Sequence, residues 1–222
     1  MERIAHRANT RKRIREGIRA RFDRFEVDLW NHNGRFILSH DPVFGPFVFG
    51  SSGATLSSRK WLYVRWGWPF LTLAKLLRDK RLAPLPSLLI DLKGAWPDNA
   101  LEHLATLLQT YRRSGDAICT QNWEQLDRYA RIDPKRTRIY SEAHQDRLGE
   151  LFLRMERGET IAGLSINAAA LASDQPLDPL RHILARSPWF IVYVWNIPDF
   201  PTLRNLQSAG IDGAIIDYLG WI

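Results

Sequence analysis

Glu26 and Asp28 stand two residues apart in the apolar run Phe25–Trp30, so in a β-strand both carboxylates leave the same face. If that face is enclosed, two like charges share a low-dielectric space, and one pKa rises unless a cation neutralises the pair. A hard divalent ion with oxygen ligands is the simplest such cation. Asp91 and Lys93 repeat the same spacing and offer a third carboxylate and an ammonium. His6 and His40 follow two other apolar runs and can take and give a proton near neutral pH. Arg7 and Lys93 suit an anionic phosphate. Together these groups fit metal-assisted cleavage of a phosphodiester. Each residue alone also has a plainer reading, as a solvated strand end or a half-exposed acidic face.

The elements that must position them alternate. Short apolar runs lie at Arg3–Ala5, Phe25–Trp30, Phe36–Ser39, Leu88–Leu92, Ala117–Thr120, Arg138–Tyr140, Ile161–Ile166, Phe190–Trp195 and Ala214–Ile216. Stretches of helical period fall between most of them, at about 10–22, 70–82, 99–114, 123–131, 144–157, 176–186 and 200–209. Phe36–Ser39 follows an Asn33-Gly34 turn and reads as a hairpin return. Eight strands remain, the number that closes a (β/α)8 TIM barrel. No Gly-x-Gly-x-x-Gly follows an early strand, which argues against a doubly wound sheet. The expected fold is a compact α/β barrel in one domain, 1–222, lacking a helix after the last strand. The candidate residues then share the C-terminal rim, where such barrels place their chemistry.

Composition closes off other classes. The chain has 222 residues, 31 Lys+Arg against 24 Asp+Glu, a net charge of +7 and 45% hydrophobic residues. Nine Trp, six Tyr and ten Phe supply ample apolar area for a core and exclude a disordered chain. The single cysteine, Cys119, excludes an internal disulfide and a cysteine-based zinc site, and reads as a small buried hydrophobe. No secretory h-region and no long uncharged apolar run are present, so a cytoplasmic location is expected.

At the candidate residues the sequence resembles the glycerophosphodiester phosphodiesterase family, within the phosphatidylinositol-phospholipase-C-like superfamily. The resemblance rests on Ile4-Ala5-His6-Arg7, Phe25-Glu26-Val27-Asp28, and His40-Asp41-Pro42. Asn9-Thr10, Ile90-Asp91-Leu92-Lys93, Val194-Trp195 and Gly210 to Tyr218 extend it along the chain. It implies a (β/α)8 barrel that hydrolyses a glycerophosphodiester or related (lyso)phospholipid. By matching position, His6 and His40 would be the general acid–base pair. Glu26, Asp28 and Asp91 would hold Mg²⁺ or Ca²⁺, Arg7 and Lys93 would bind the phosphate, and Trp195 would wall the alcohol pocket. Two positions depart from the family pattern: Ala8 stands where a glycine is usual, and Asp91 replaces a longer glutamate.

Two segments lie outside the family pattern. Residues 43–70 are aromatic and loop-like, with Phe44, Phe47, Phe49, Trp61, Tyr63, Trp66, Trp68 and Phe70. They are expected to bury against the barrel rim; a lid or apolar clamp over the mouth is the functional alternative. The basic stretch Arg11–Phe22 carries Ile14, Ile18 and Phe22 as a buried stripe, with its cations outward. A solvated helix is expected there, with peripheral contact to an anionic membrane as the alternative and no nucleic acid partner. His32, His103, His144 and His182 match no motif and read as surface or packing residues. The residues leave open lyase-type cleavage to a cyclic phosphate, and a non-catalytic ligand-binding barrel.

Overall fold

The structure is a computed structural model that describes residues 1–53, 60–67, 69–143, 147–171 and 189–217. Eight parallel strands form the barrel: β1 (Glu2–Ala5), β2 (Arg24–His32), β7 (Ser87–Lys93), β8 (Ala117–Thr120), β9 (Thr137–Glu142), β10 (Gly163–Asn167), β11 (Ile191–Trp195) and β12 (Gly213–Ile216). They neighbour one another in chain order, and β1 pairs with both β2 and β12, which closes the ring. The expected hairpin return is β3 (Arg35–Leu38), antiparallel to the far end of β2.

Alternation along each strand sorts the side chains. Phe25, Val27 and Leu29 of β2 and Leu88, Ile90 and Leu92 of β7 join the outer core beneath the helices. The intervening positions face the barrel axis, where Ile4, Leu89, Ala117, Cys119, Ile139, Tyr193 and Ile215 form a separate apolar plug. Gly163 is demanded by this crowding: a Cβ there would lie 2.3 Å from the Ile191 carbonyl oxygen. Above the plug the same alternation turns polar residues inward.

The helices covering the barrel are α1 (Arg11–Arg19), α2 (Leu73–Leu77), α3 (Asp98–Thr110), α4 (Trp123–Ile132), α5 (Leu148–Glu156) and α6 (Phe200–Ser208). Thr10, Thr72, Asn122 and Asp199 each accept a backbone N–H at a helix start, as short polar residues do. The helix expected over 70–82 is shorter: α2 stops at Leu77, and residues Lys80–Leu82 form a separate 3-10 turn capped by Asp79. The helix expected at 176–186, His144, His182, and any element after the last strand lie outside the described residues. His103 packs against the Phe36 ring, 4.9 Å between centroids, and Cys119 is buried, as expected of both. The helix expected over 10–22 ends at Arg19: Ile14 is buried and Ile18 half-buried on it, and Phe22 buries just beyond its end, after Arg21 turns the chain with a positive φ of 55°.

The segment after His40 is not a loop. Its described part is a three-stranded antiparallel sheet of β4 (Val43–Phe44), β5 (Phe47–Gly53) and β6 (Lys60–Trp66). The Trp61 and Trp68 side chains lie outside the described residues, and the expectation that the aromatics bury against the rim is wrong for most of the others, Tyr63 included. Among the described residues Phe70 and Val48 pack with Ile37 in a small core under the sheet, and Val43 packs against it half-buried. Phe44, Phe47, Phe49, Leu62, Val64 and Trp66 are exposed. The register explains the division. Phe47 pairs with Trp66 and Phe49 with Val64, so these residues share one face. Val48 with Arg65 and Gly50 with Tyr63 share the other, which turns to the barrel mouth.

Candidate active site

The first loop of the barrel folds back onto β2. Arg7 adopts a positive φ of 49°, which aims its N–H at Glu26 Oε2, 2.5 Å away. Ala8 is fully buried and donates its N–H to the Glu26 carbonyl at 2.8 Å. Asn9 then holds Asp28 twice: its Nδ2 donates to Asp28 Oδ2 at 2.7 Å, and its Oδ1 accepts the Asp28 N–H at 2.9 Å. Short side chains capable of such local bonds are what this tight loop requires.

β2 and β7 are paired so that Asp28 stands opposite Asp91. Like charges in that register oppose strand pairing unless something bridges them. Lys93, one turn of the pleat beyond Asp91, supplies the bridge: its Nζ lies 2.9 Å from Asp28 Oδ1 and also bonds Asp91 Oδ2. The expected phosphate ligand is therefore already engaged by two carboxylates, although it still lines the cavity. Glu26, Asp28 and Asp91 each offer an oxygen within 4.8 Å of the others.

Burial, followed by the charges of Asp28 and Asp91, pushes the Glu26 carboxyl well above its ordinary value. Burial also raises Asp91, despite Lys93 beside it. Burial alone would depress the Lys93 ammonium, but the pull of Asp91 and then Asp28 outweighs it and the pKa ends higher than usual. With all three carboxyls ionised, the one ammonium leaves two negative charges uncompensated, which a bound cation would answer. Oxygens within 4.8 Å can share an ion at the ~2.4 Å bond length of Ca²⁺, and a small inward adjustment suits Mg²⁺. The donor set thus fits one hard divalent cation.

The two histidines sit on the same cavity, each with a carboxylate behind it. His6 Nδ1 lies 3.3 Å from Asp217 Oδ1, and His40 Nδ1 lies 3.1 Å from Asp41 Oδ1. The hydrogen bond from His6 holds the Asp217 carboxyl below its usual range. A carboxylate at Nδ1 fixes the ring and leaves Nε2 for proton transfer. Asp41 in turn accepts from Tyr63 Oη at 2.9 Å, which ties the small sheet to the site. Asp217, at the end of the last apolar run, and Tyr63, in the aromatic segment, are given no site role by linear spacing. Only the closure of β12 onto β1 and the fold of the small sheet bring them here.

The cavity has a volume of about 140 Å³ and is lined by His6, Arg7, Glu26, Asp28, His40, Asp91, Lys93 and Trp195, among others. Every sequence-derived site residue therefore reaches one space. Arg7 Nε is buried without a hydrogen-bond partner among the described residues, as is the Trp195 indole N–H.

No family model matches the sequence, and no curated protein resembles it significantly. Solved structures do resemble the fold. A glycerophosphodiester phosphodiesterase from Parabacteroides distasonis superposes with a TM-score of 0.67 at 16% identity, covering 97% of this chain and 92% of that one. A phosphodiesterase from Oleispira antarctica, in complex with its product sn-glycerol-3-phosphate, gives 0.69 at 14% identity, with 98% and 93% covered. The chain has the fold of these enzymes. A calcium-dependent phosphoinositol-specific phospholipase C from a Pseudomonas species is also similar, with a TM-score of 0.55 at 12% identity, 97% and 88% covered. At such identities the likeness speaks to the barrel, and the chemistry has to be argued from the residues.

Proposed function

We propose that this protein is a metal-dependent phosphodiesterase that hydrolyses a glycerophosphodiester or related (lyso)phospholipid to an alcohol and a phosphomonoester. The observation that carries the reading is the convergence of two carboxylate-backed histidines on one cavity with Glu26, Asp28, Asp91 and Lys93. The fold shared with phosphodiesterases supports it.

A divalent cation, Mg²⁺ or Ca²⁺, held by Glu26, Asp28 and Asp91 would polarise a phosphoryl oxygen and offset developing charge. The protein's own groups supply the rest. One histidine takes a proton from the attacking water through Nε2 as its oxygen bonds to phosphorus. The other gives a proton to the alcohol oxygen as the P–O bond breaks. Asp217 and Asp41 hold the imidazoles in register and stabilise the protonated forms. The Arg7 guanidinium, with its unpartnered Nε, would meet the non-bridging oxygens, and Lys93 bridges Asp28 and Asp91 and so holds the two carboxylates side by side. Trp195 lines one wall for the alcohol.

The exposed apolar face of the small sheet supports a further reading of the same enzyme, in which peripheral contact with an anionic membrane presents a lipid substrate. Phe47, Phe49, Leu62, Val64 and Trp66 project together from that face, an arrangement that soluble surfaces rarely leave uncovered.

The test is alcohol release from a panel of glycerophosphodiesters and lysolipids with Mg²⁺, Ca²⁺ or chelator. Metal-dependent turnover that His40→Ala lowers by about 10²-fold or more is expected. Full activity in chelator, or in His40→Ala, would overturn the mechanism. Product analysis separates hydrolysis, which leaves a phosphomonoester, from attack by a substrate hydroxyl, which leaves a cyclic diester.

A further inference from the structure

The carboxylate cavity is too small to hold both arms of a diester: about 140 Å³, against the 300 Å³ or more usual for a ligand pocket. A second groove of about 490 Å³ opens beside it, between the start of α1 and the small sheet. Arg7 and His40 line both spaces, so the two are contiguous. Among the described residues the groove's lining includes Arg7, Arg11, Arg13 and Arg65 and no acidic residue. Asp79 takes Arg11 Nε at 2.7 Å, and Asp217 feels the charges of Arg7 and Arg13, yet neither carboxylate faces the groove. Arg65 lines the groove and its charge reaches the Tyr63 hydroxyl beside it.

The sequence of α1 carries a cost at this place. Its first turn holds Arg11, Lys12 and Arg13 and no acidic residue. Helix N-termini bear partial positive charge and favour the opposite arrangement. Asp79 answers Arg11 and Glu16 answers Lys12 from outside the groove, so the groove itself keeps a cationic lining. Arg65 enters from the other wall, on the mouth-facing side of β6 beside Val48. Two unconnected elements thus converge their cations on one concavity.

We infer that this groove is an anionic subsite, which takes a second phosphate carried on one arm of the diester. The inference rests on the phosphodiesterase reading for its link to turnover, and it names the substrate class: a diester with a further phosphomonoester or comparable dianion on one arm. Planar guanidinium groups suit phosphate bidentately, and the apolar floor of Leu38, Val48 and Phe70 leaves room for the connecting carbons.

The experiment is calorimetric titration of the full chain, at fixed free Mg²⁺, with propyl monophosphate and with bisphosphates of linear diols of increasing length. One length should bind at least about tenfold tighter than the monophosphate, about 1.4 kcal/mol. Arg65→Gln, an exposed position, should abolish most of that gain, and Arg13→Gln should do so independently. A gain below threefold at every length, or one that survives both substitutions, overturns the subsite. Binding is scored apart from turnover. A chain that shows the gain but cleaves no diester keeps the subsite and loses the catalytic reading. A chain that cleaves diesters without the gain loses the subsite alone. Absence of binding by any of these probes overturns the subsite.

Discussion

Lys93→Met removes the charge that joins Asp28 to Asp91 while keeping most of the side-chain volume. At the 2.9 Å separation from Asp28 Oδ1, an effective dielectric of about 20 gives a gross attraction of about 6 kcal/mol. Desolvation of the ammonium offsets part of it, and loss of one partner from a buried pair costs about 3–5 kcal/mol. Lys93 is one-quarter exposed, so the lower end, about 3 kcal/mol, is the expected loss in chelator at neutral pH. For a chain of this length that is a fall in Tm of about 6–12 °C. The uncompensated charge of the carboxylates rises from two to three, so affinity for Mg²⁺ or Ca²⁺ should increase by about tenfold or more. Acid should narrow the stability difference. The folded pKa of Glu26 is already raised, so its penalty is absent below the unfolded carboxylate value and develops as pH rises through the folded one. Removing Lys93 raises that folded value further, and the deficit therefore shrinks as pH falls toward the ordinary carboxylate range. Thermal unfolding in chelator across pH, with metal titration by calorimetry, reads all three quantities. A Tm within about 1 °C of the parent and an unchanged metal affinity would refute the charge balance argued for the site.

Asp217→Asn keeps the shape behind His6 but exchanges the carboxylate for an amide. The turnover number should fall about 10- to 100-fold with little change in KM, because the imidazolium loses its stabilising partner; a change below twofold would remove Asp217 from the machinery. On the small sheet, Trp66→Ser should weaken sedimentation with phosphatidylglycerol vesicles by about tenfold, the value of one large apolar side chain leaving water. Equal binding by parent and variant would mean that this face does not meet the bilayer.

The barrel was legible because its period is repeated eight times. Each inner-sheet strand announced itself as a short apolar run between helical stretches, and the Asn33-Gly34 hairpin identified the strand to exclude from the count. Glu26 and Asp28 could be placed on one face for the same reason: a strand alternates whatever it packs against. The small sheet is hidden in the sequence because β4 has only two residues before the Gly45-Pro46 turn and Gly50 interrupts the apolar pattern of β5, while aromatic residues ordinarily prefer burial. Exposure of an apolar face follows from what lies opposite it, and no local pattern encodes that.

The residue types of the site, and the face from which most of them project, follow from the sequence itself. Spacing two within a strand, and apolar runs ending in His6, His40 and Asp217, are properties of neighbouring residues. Which groups meet was decided by tertiary structure. Asp28 faces Asp91 because β2 and β7 pair in one register and not the next. Asp217 backs His6 across more than two hundred residues because β12 closes on β1. Lys93 is drawn to carboxylates because that register leaves like charges side by side in a low-dielectric space. Contacts between distant residues depend on strand register and ring closure, which are set by the packing of the whole core.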